Sequence, residues 1–261
     1  MRKITFLGSG AAPGVPSLCC GFGDCDPHNP KNIRTRTSTY LDYNGVRLLI
    51  DTSPDLRLQL IQNNIRSLDG VLYTHVHADH LHGIDELREI NRITGQSLNY
   101  YATEFSNSHI EERFSYLIAQ KQKSCDVIRR PSLISNLIKV NQPFFINGLK
   151  ITPLKLLGHN IESVGYAFND GELVYIADFK TLDGSVFDMI KRKPALLVMP
   201  LTTPYGQQFH AGLDEVTAYI EQIKPEKAVL NHMASECDYE AVRALTPANT
   251  EPAYDNLSLE F

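Results

Sequence analysis

Along much of the chain, apolar positions either alternate with polar ones or fall in short unbroken runs, which is strand patterning. Lys3–Leu7, Ser38–Tyr43 and Val46–Asp51 read as the first strands, with Asn44-Gly45 as the hairpin turn between the last two. Asp51-Thr52-Ser53-Pro54 then ends a strand and opens a helix, with Ser53 as N-cap and Pro54 at the first helical position. Leu56, Leu60 and Ile61 give that helix its apolar stripe. Gly70–Tyr73 reads as a short buried strand. Residues Asn91 to Ser135 are less regular, with a helix expected over Ser106–Gln122 from Ile110, Phe114, Leu117 and Ile118.

Strands follow at Leu149–Leu157, Ser163–Phe168 and Leu173–Ile176, the last two joined by Asn169-Asp170-Gly171. The remainder alternates: a helix near Phe187–Lys191, strand Ala195–Met199, helix Leu213–Ile223, strand Lys227–Leu230, a helix from Cys237, and strand Leu257–Phe261. Hairpins followed by helices, in two successive rounds, predict an α/β protein with two sheets covered by outer helices. Pattern alone leaves other α/β layouts open. With 261 residues and no linker-like tract, one domain spanning 1–261 is the expectation.

Composition narrows the function. The net charge of −5 is a poor match for a protein that grips nucleic acid through many phosphates, although Lys31, Arg34, Arg36, Arg129 and Arg130 are candidates for a local basic patch. No run approaches the roughly 20 apolar residues of a membrane span, and Met1–Gly10 does not read as a signal peptide, so a cytoplasmic location is expected. The five cysteines are expected to be reduced thiols.

Tyr73-Thr74-His75-Val76-His77-Ala78-Asp79-His80 carries the strongest chemical signal. In extended backbone, side chains two apart point the same way, so His75 and His77 can pinch one ion. After a turn, Asp79 and His80 can face a second. Imidazoles with a carboxylate suit Zn²⁺, and also Mn²⁺ or Fe²⁺. These four residues cannot complete two coordination spheres. His159, Asp178 and His232 each follow a predicted strand, where sheet-based sites collect their residues.

The motif and its spaced followers resemble the metallo-β-lactamase superfamily over nearly the whole chain. That resemblance implies a four-layer αββα sandwich of two mixed β-sheets flanked by helices. It implies one ion on His75, His77 and His159, a second on Asp79, His80 and His232, and Asp178 bridging both. A bridging aspartate disfavours antibiotic hydrolysis. The opening Leu7-Gly8-Ser9-Gly10-Ala11-Ala12-Pro13-Gly14-Val15-Pro16 is similar to the branch containing the phosphoribosyl 1,2-cyclic phosphate phosphodiesterases. In that branch, the loop matching Phe209-His210-Ala211-Gly212-Leu213-Asp214 carries a catalytic histidine, which implies His210. The branch also holds a structural zinc on three cysteines and a histidine. Here Cys20 and Cys25 match, Phe22 and Ser235 stand at the other two positions, and Cys19 is a possible substitute.

The expected chemistry is phosphodiester hydrolysis by a hydroxide bridging two divalent ions, Zn²⁺ or Mn²⁺. Asp79 steers its proton, and His210, as imidazolium, serves the leaving oxygen. The expected partner is a small diester such as a cyclic phosphate, and a homodimer is compatible. An RNA-processing nuclease is the alternative, but the long Gly/Pro-rich arm of the tRNA 3′-endonucleases is absent from this sequence. A non-catalytic metal-binding protein is the other alternative, disfavoured by the full ligand set. His82 is a candidate to orient a ligand, and Gly8–Gly14 a candidate phosphate cradle of backbone N–H groups. His109 reads as solvated, His28 carries no assignment, and residues 91–135 are a candidate lid.

Overall fold

Asn44 and Gly45 both take positive φ, 52° and 89°, the backbone of a tight hairpin turn. They bring Ser38–Tyr43 against Val46–Ile50, with Thr39 opposite Ile50 and Tyr43 opposite Val46. This hairpin lies within the first of two sheets in the computed structural model, which describes residues 1–118 and 132–261. Its spatial order is Leu257–Glu260, Arg2–Gly8, Ser38–Tyr43, Val46–Ile50, Gly70–Leu72, Leu98–Ala102 and Leu133–Leu137. The second sheet runs Thr181–Leu182, Leu149–Leu157, Val164–Phe168, Leu173–Tyr175, Leu196–Pro200, Lys227–Asn231 and Thr250–Pro252, with Phe144–Ile146 paired to Leu149–Leu157.

The strand Leu196–Pro200 shows why four layers form. Leu196 and Val198 face the apolar cluster shared by both sheets, beside Ile4, Phe6 and Leu48 of the first. Leu197 and Met199 point the other way, toward the helices Leu213–Ile223 and Tyr239–Leu245. Both faces are buried, so the strand reads as an unbroken apolar run. The first sheet repeats the scheme: Leu49, Val71 and Tyr100 meet Leu56, Leu87 and Ile110 from the helices Leu56–Gln62, Leu87–Thr94 and Glu104–Arg113. Each fully buried Leu, Val or Phe contributes about 1.5–3 kcal/mol relative to exposure. The α/β sandwich of two mixed sheets flanked by helices is therefore the observed fold. No helix among the described residues is long and apolar enough to cross a membrane.

Several local expectations shift. The first helix starts at Leu56 with Asp55 in the N-cap position, while Ser53 Oγ donates to Gln59 Oε1 at 2.9 Å and accepts from Asp55 N–H at 3.2 Å. The helix expected over Ser106–Gln122 is Glu104–Arg113, capped by Thr103 accepting from Ser106 N–H, followed by a short 3₁₀ turn at Ser115–Leu117. Its expected end lies outside the described residues. The lid expected at 91–135 is not what the described part of that segment forms. Leu98–Ala102 and Leu133–Leu137 are parallel neighbours in the first sheet, and Leu98, Tyr100, Ile110 and Leu133 are buried. Residues 119–131 lie outside the described residues.

The two sheets are also joined by charge. Glu172, buried beside the strand Leu173–Tyr175, accepts hydrogen bonds from Arg2 and Tyr43 of the first sheet and from Asn169 Nδ2 at 2.9 Å. Burial alone would raise its carboxyl, but Tyr43, Arg2 and Asn169 hold it at about 2. A depressed acid contributes stability above its unfolded value, near 4.5, and that contribution is lost as pH falls toward 2. Glu172→Ala is expected to cost about 3 kcal/mol in urea unfolding at pH 7. Its deficit should narrow steadily between about pH 4.5 and 2, and a deficit independent of pH over that window would refute the assignment.

Candidate metal centre

Parallel strands with their carboxyl ends on one edge gather the site. In the first sheet these are Val46–Ile50, Gly70–Leu72 and Leu98–Ala102, and in the second Leu173–Tyr175, Leu196–Pro200 and Lys227–Asn231. Open α/β sheets bind ligands at such ends. After Gly70–Leu72, Tyr73 still bonds to Tyr101, and Thr74 N–H then turns to Asp51 Oδ1 at 2.8 Å. His77 keeps extended backbone (φ −65°, ψ 154°) immediately before the single helical turn Ala78–Leu81, which swings Asp79 and His80 into the same hollow.

There the ligand atoms converge. His77 Nδ1 lies 3.2 Å from His75 Nε2 and 3.0 Å from His159 Nε2. His232 Nε2 lies 3.2 Å from both His80 Nε2 and Asp79 Oδ2. Asp178 Oδ2 stands between the groups, 4.0 Å from His75 Nε2, 3.7 Å from His80 Nε2 and 3.4 Å from His232 Nε2. All seven sequence-predicted ligands are therefore brought together. His210 is beside them: its half-buried ring lies 5.1 Å from that of His159, and its Nδ1 is 3.9 Å from Asp178 Oδ2.

The donor set fits divalent cations. His80 Nδ1–H donates to Asp51, His159 Nδ1–H to Phe209 O, His75 Nδ1–H to Thr74 Oγ1 and His232 Nδ1–H to Thr202 Oγ1. Each leaves its Nε2 lone pair pointing inward. In those tautomers the inward-facing nitrogens are acceptors set within hydrogen-bond distance of one another, an arrangement that suits a cation. Asp178 Oδ1 is also buried without a hydrogen-bond partner. Burial pushes the His75, His77 and His159 pKa values down, which keeps them neutral, the form that binds metal. Burial would lower His80 too, but Asp79 and Asp51 raise it well above its ordinary value. Burial would raise Asp79 and Asp178, but His80 and His232 hold both low. The positive charge that these groups recruit onto His80 stands where an ion's charge belongs.

Asp51 is the residue that sequence reasoning read only as a strand end. Its Oδ2 accepts from His80 Nδ1 at 2.8 Å and Thr74 Oγ1 at 2.7 Å, and Thr74 in turn accepts from His75. One buried carboxylate thus orients a histidine in each subsite. The signal available was an aspartate ending a strand and followed by two hydroxyl residues, Thr52-Ser53.

Other expectations do not hold. His82 is exposed and sits edge-on to Phe114 at 5.9 Å, without a hydrogen bond to the ligands among the described residues. His109, read as solvated, is partly exposed and lies 3.8 Å from Glu112, and His28, which carried no assignment, is exposed. The basic patch is dispersed. Arg34 is buried, bonding Asn32 Oδ1, Ala234 O and Cys25 Sγ, while Arg36 pairs with Asp55 and Lys31 lies 4.0 Å over the Tyr239 ring. Arg129 and Arg130 lie outside the described residues. The Gly8–Gly14 turn is no phosphate cradle, because Ser9, Gly10, Ala11 and Gly14 donate their N–H groups to Asp255, Thr35, Met233 and Ala11. Cys25 is buried against Arg34 while Cys19 and Cys20 are exposed, and no group of three metal-ligating residues among the described residues includes a cysteine. Burial lowers His210 below its ordinary pKa despite the Asp178 charge, which favours the neutral ring over the expected imidazolium.

His77, Asp79, Asp178 and His232 line a cavity of about 680 Å³, together with Ala12, Leu18, Cys19, Cys20 and Gln207. Four likenesses bear on this site. A family model described as the β-lactamase superfamily domain matches residues 46–233. The chain is 30% identical over 259 residues to an octanoyltransferase of Porphyromonas gingivalis, covering 98% of this chain and 51% of that protein. It is 26% identical over 176 residues to a ribonuclease Z of Archaeoglobus fulgidus, covering 65% of this chain and 48% of that one. The chain thus spans about half the length of these two relatives. Among solved structures, a new diphosphatase from the PhnP family superposes with a TM-score of 0.88 at 29% identity, covering 100% of this chain and 98% of the other.

Proposed function

The chain belongs to the β-lactamase superfamily, in its PhnP-like metallo-β-lactamase branch, and from that premise we propose that it is a binuclear phosphodiesterase acting on a small cyclic phosphate or nucleotide-like diester. One observation carries the reading. Five imidazoles and two carboxylates, all buried or half-buried, meet in overlapping groups, and His77, Asp79, Asp178 and His232 among them line a single cavity. His75, His77 and His159 would hold one ion and Asp79, His80 and His232 the other, with Asp178 between them. Bound Zn²⁺ or Mn²⁺ supplies Lewis acidity toward the phosphoryl oxygens and lowers the pKa of water toward 7.

The chain's own residues do the rest. Asp79, whose carboxyl is held ionised by His80 and His232, orients the attacking water by accepting a hydrogen bond from it as well as serving as a ligand. His210, neutral and at the cavity wall, donates a hydrogen bond to the oxygen where charge develops on the leaving side. The cavity matches the size of pockets for small ligands. That size and the net charge of −5 favour a small diester over a polynucleotide. The diphosphatase neighbour supports chemistry at phosphorus.

The test is hydrolysis of bis-p-nitrophenyl phosphate by metal-stripped protein reloaded with Zn²⁺ or Mn²⁺, with His77→Ala alongside. Turnover that needs the ion and is lost in the variant is expected. Two ions bound per chain with no turnover on this substrate or on ribose cyclic phosphates would overturn the reading.

A further inference from the structure

One hydroxyl lies between a candidate ligand and the candidate acid. Thr202 Oγ1 is 3.1 Å from His232 Nδ1 and 3.1 Å from His210 Nδ1. Its position is fixed by the backbone. Thr202 follows the strand Leu196–Pro200, Leu201 N–H donates to Asn231 O at 2.8 Å, and Ala234 N–H donates to Thr202 O at 3.1 Å. His210 is held by its own turn, in which Gln207 N–H donates to His210 O at 2.9 Å.

The proton count across these three groups has one solution that satisfies every donor. With an ion on His232 Nε2, which lies 3.2 Å from Asp79 Oδ2 and His80 Nε2, the ring's proton is on Nδ1 and is donated to Thr202 Oγ1. Thr202 then has one proton to donate. Among the described residues, His210 Nδ1 is the other partner of that hydroxyl, and it must accept. His210 is thereby left with its own proton on Nε2. If His210 carried a proton on Nδ1 instead, Thr202 would accept twice and its hydroxyl proton would have no partner.

We propose that Thr202 is a positioning residue that couples ion binding at His232 to the tautomer of His210, so that His210 presents an N–H from Nε2 toward the bound substrate. This rests on the diesterase reading for its consequence in turnover. The tautomer itself is independent of substrate. Fixing one ring nitrogen by a hydrogen bond determines which proton the other can offer. The role assigned to His210 needs a donor at Nε2, and the Thr202 hydroxyl supplies the condition for it.

The test is ¹⁵N NMR of histidine-labelled protein loaded with Zn²⁺, comparing wild type, Thr202→Val and Thr202→Ser, with kinetics on bis-p-nitrophenyl phosphate. In wild type and Thr202→Ser, His210 should show a bare Nδ1 and a protonated Nε2. In Thr202→Val, a same-sized side chain without the hydroxyl, His210 should shift toward the Nδ1–H form. At saturating Zn²⁺ its kcat should fall about 10²-fold with KM unchanged, and serine should restore it. An unchanged His210 tautomer in Thr202→Val would overturn the proposal. So would coupling between His210 Nδ1 and ¹¹³Cd²⁺ substituted for Zn²⁺, which would make that nitrogen a ligand. A tautomer shift in a protein that cleaves no diester would sink the diesterase reading and leave the Thr202 relay standing.

Discussion

Asp178→Asn is expected to reduce metal-dependent turnover on bis-p-nitrophenyl phosphate by about 10³-fold or more. Asp178 is 2% exposed, and its Oδ2 lies within 4.0 Å of nitrogen atoms on His75, His80, His210 and His232. Asparagine keeps the shape and removes the charge. Its amide nitrogen also brings two N–H groups among ring nitrogens oriented as acceptors. The variant should therefore fold at least as well as the ion-free wild type while competing with the ions for those lone pairs. Elemental analysis should find fewer than two ions per chain, and a melt without metal should show no loss of stability. Full turnover with both ions retained would remove Asp178 from the site.

Gly83→Ala is expected to lower stability by about 3 kcal/mol, with a Tm drop of roughly 10 °C. The backbone angle does not forbid the change, since Gly83 sits at φ −87°. Space does. A Cβ there would lie 1.9 Å from the carbonyl oxygen of Ser53 and 3.0 Å from Leu56 Cβ. The carbonyl is backbone at the start of a helix and cannot swing aside. The same close approach serves the site. Gly83 N–H donates to Thr52 O at 3.0 Å, and Thr52 N–H donates to His80 O at 2.7 Å. Forcing the two segments apart pulls the turn carrying Asp79 and His80 away from Asp51. Ion affinity should fall together with the melting temperature. A melt within about 2 °C of wild type would mean that the contact yields more easily than a packed backbone should.

Much of this arrangement was legible because its rules are local. His75, His77, Asp79 and His80 lie within one turn of chain, and His159, Asp178 and His232 each follow an apolar run. Residues buried on both faces, such as Leu196–Met199, declare their strand by composition. What escaped depends on distant partners. Asp51 and Thr202 are ordinary polar residues at strand ends until the fold sets them against imidazoles brought in from elsewhere. Arg34 looked like part of a basic patch because nothing in the sequence shows that Asn32, Ala234 and Cys25 enclose it. Leu98–Ala102 was hidden for a similar reason. Its polar Asn99 hydrogen-bonds Asn136 on the neighbouring strand, a cross-strand pair no window of sequence contains. The imidazolium expected at His210 took no account of the burial that lowers its pKa, which nothing local in the sequence shows.

The placement of the ligands across both sheets has a kinetic side. His75 to His80 hang from the first sheet and Asp178 and His232 from the second, and the first sheet is itself closed by Arg2–Gly8 pairing with Leu257–Glu260. Contacts between such distant positions form slowly, because the loop entropy is lost before the contact is gained. Neither sheet alone assembles the full ligand set. Ion capture is therefore a late event in folding, and a bound ion slows unfolding by latching together two layers that arise from separate stretches of chain.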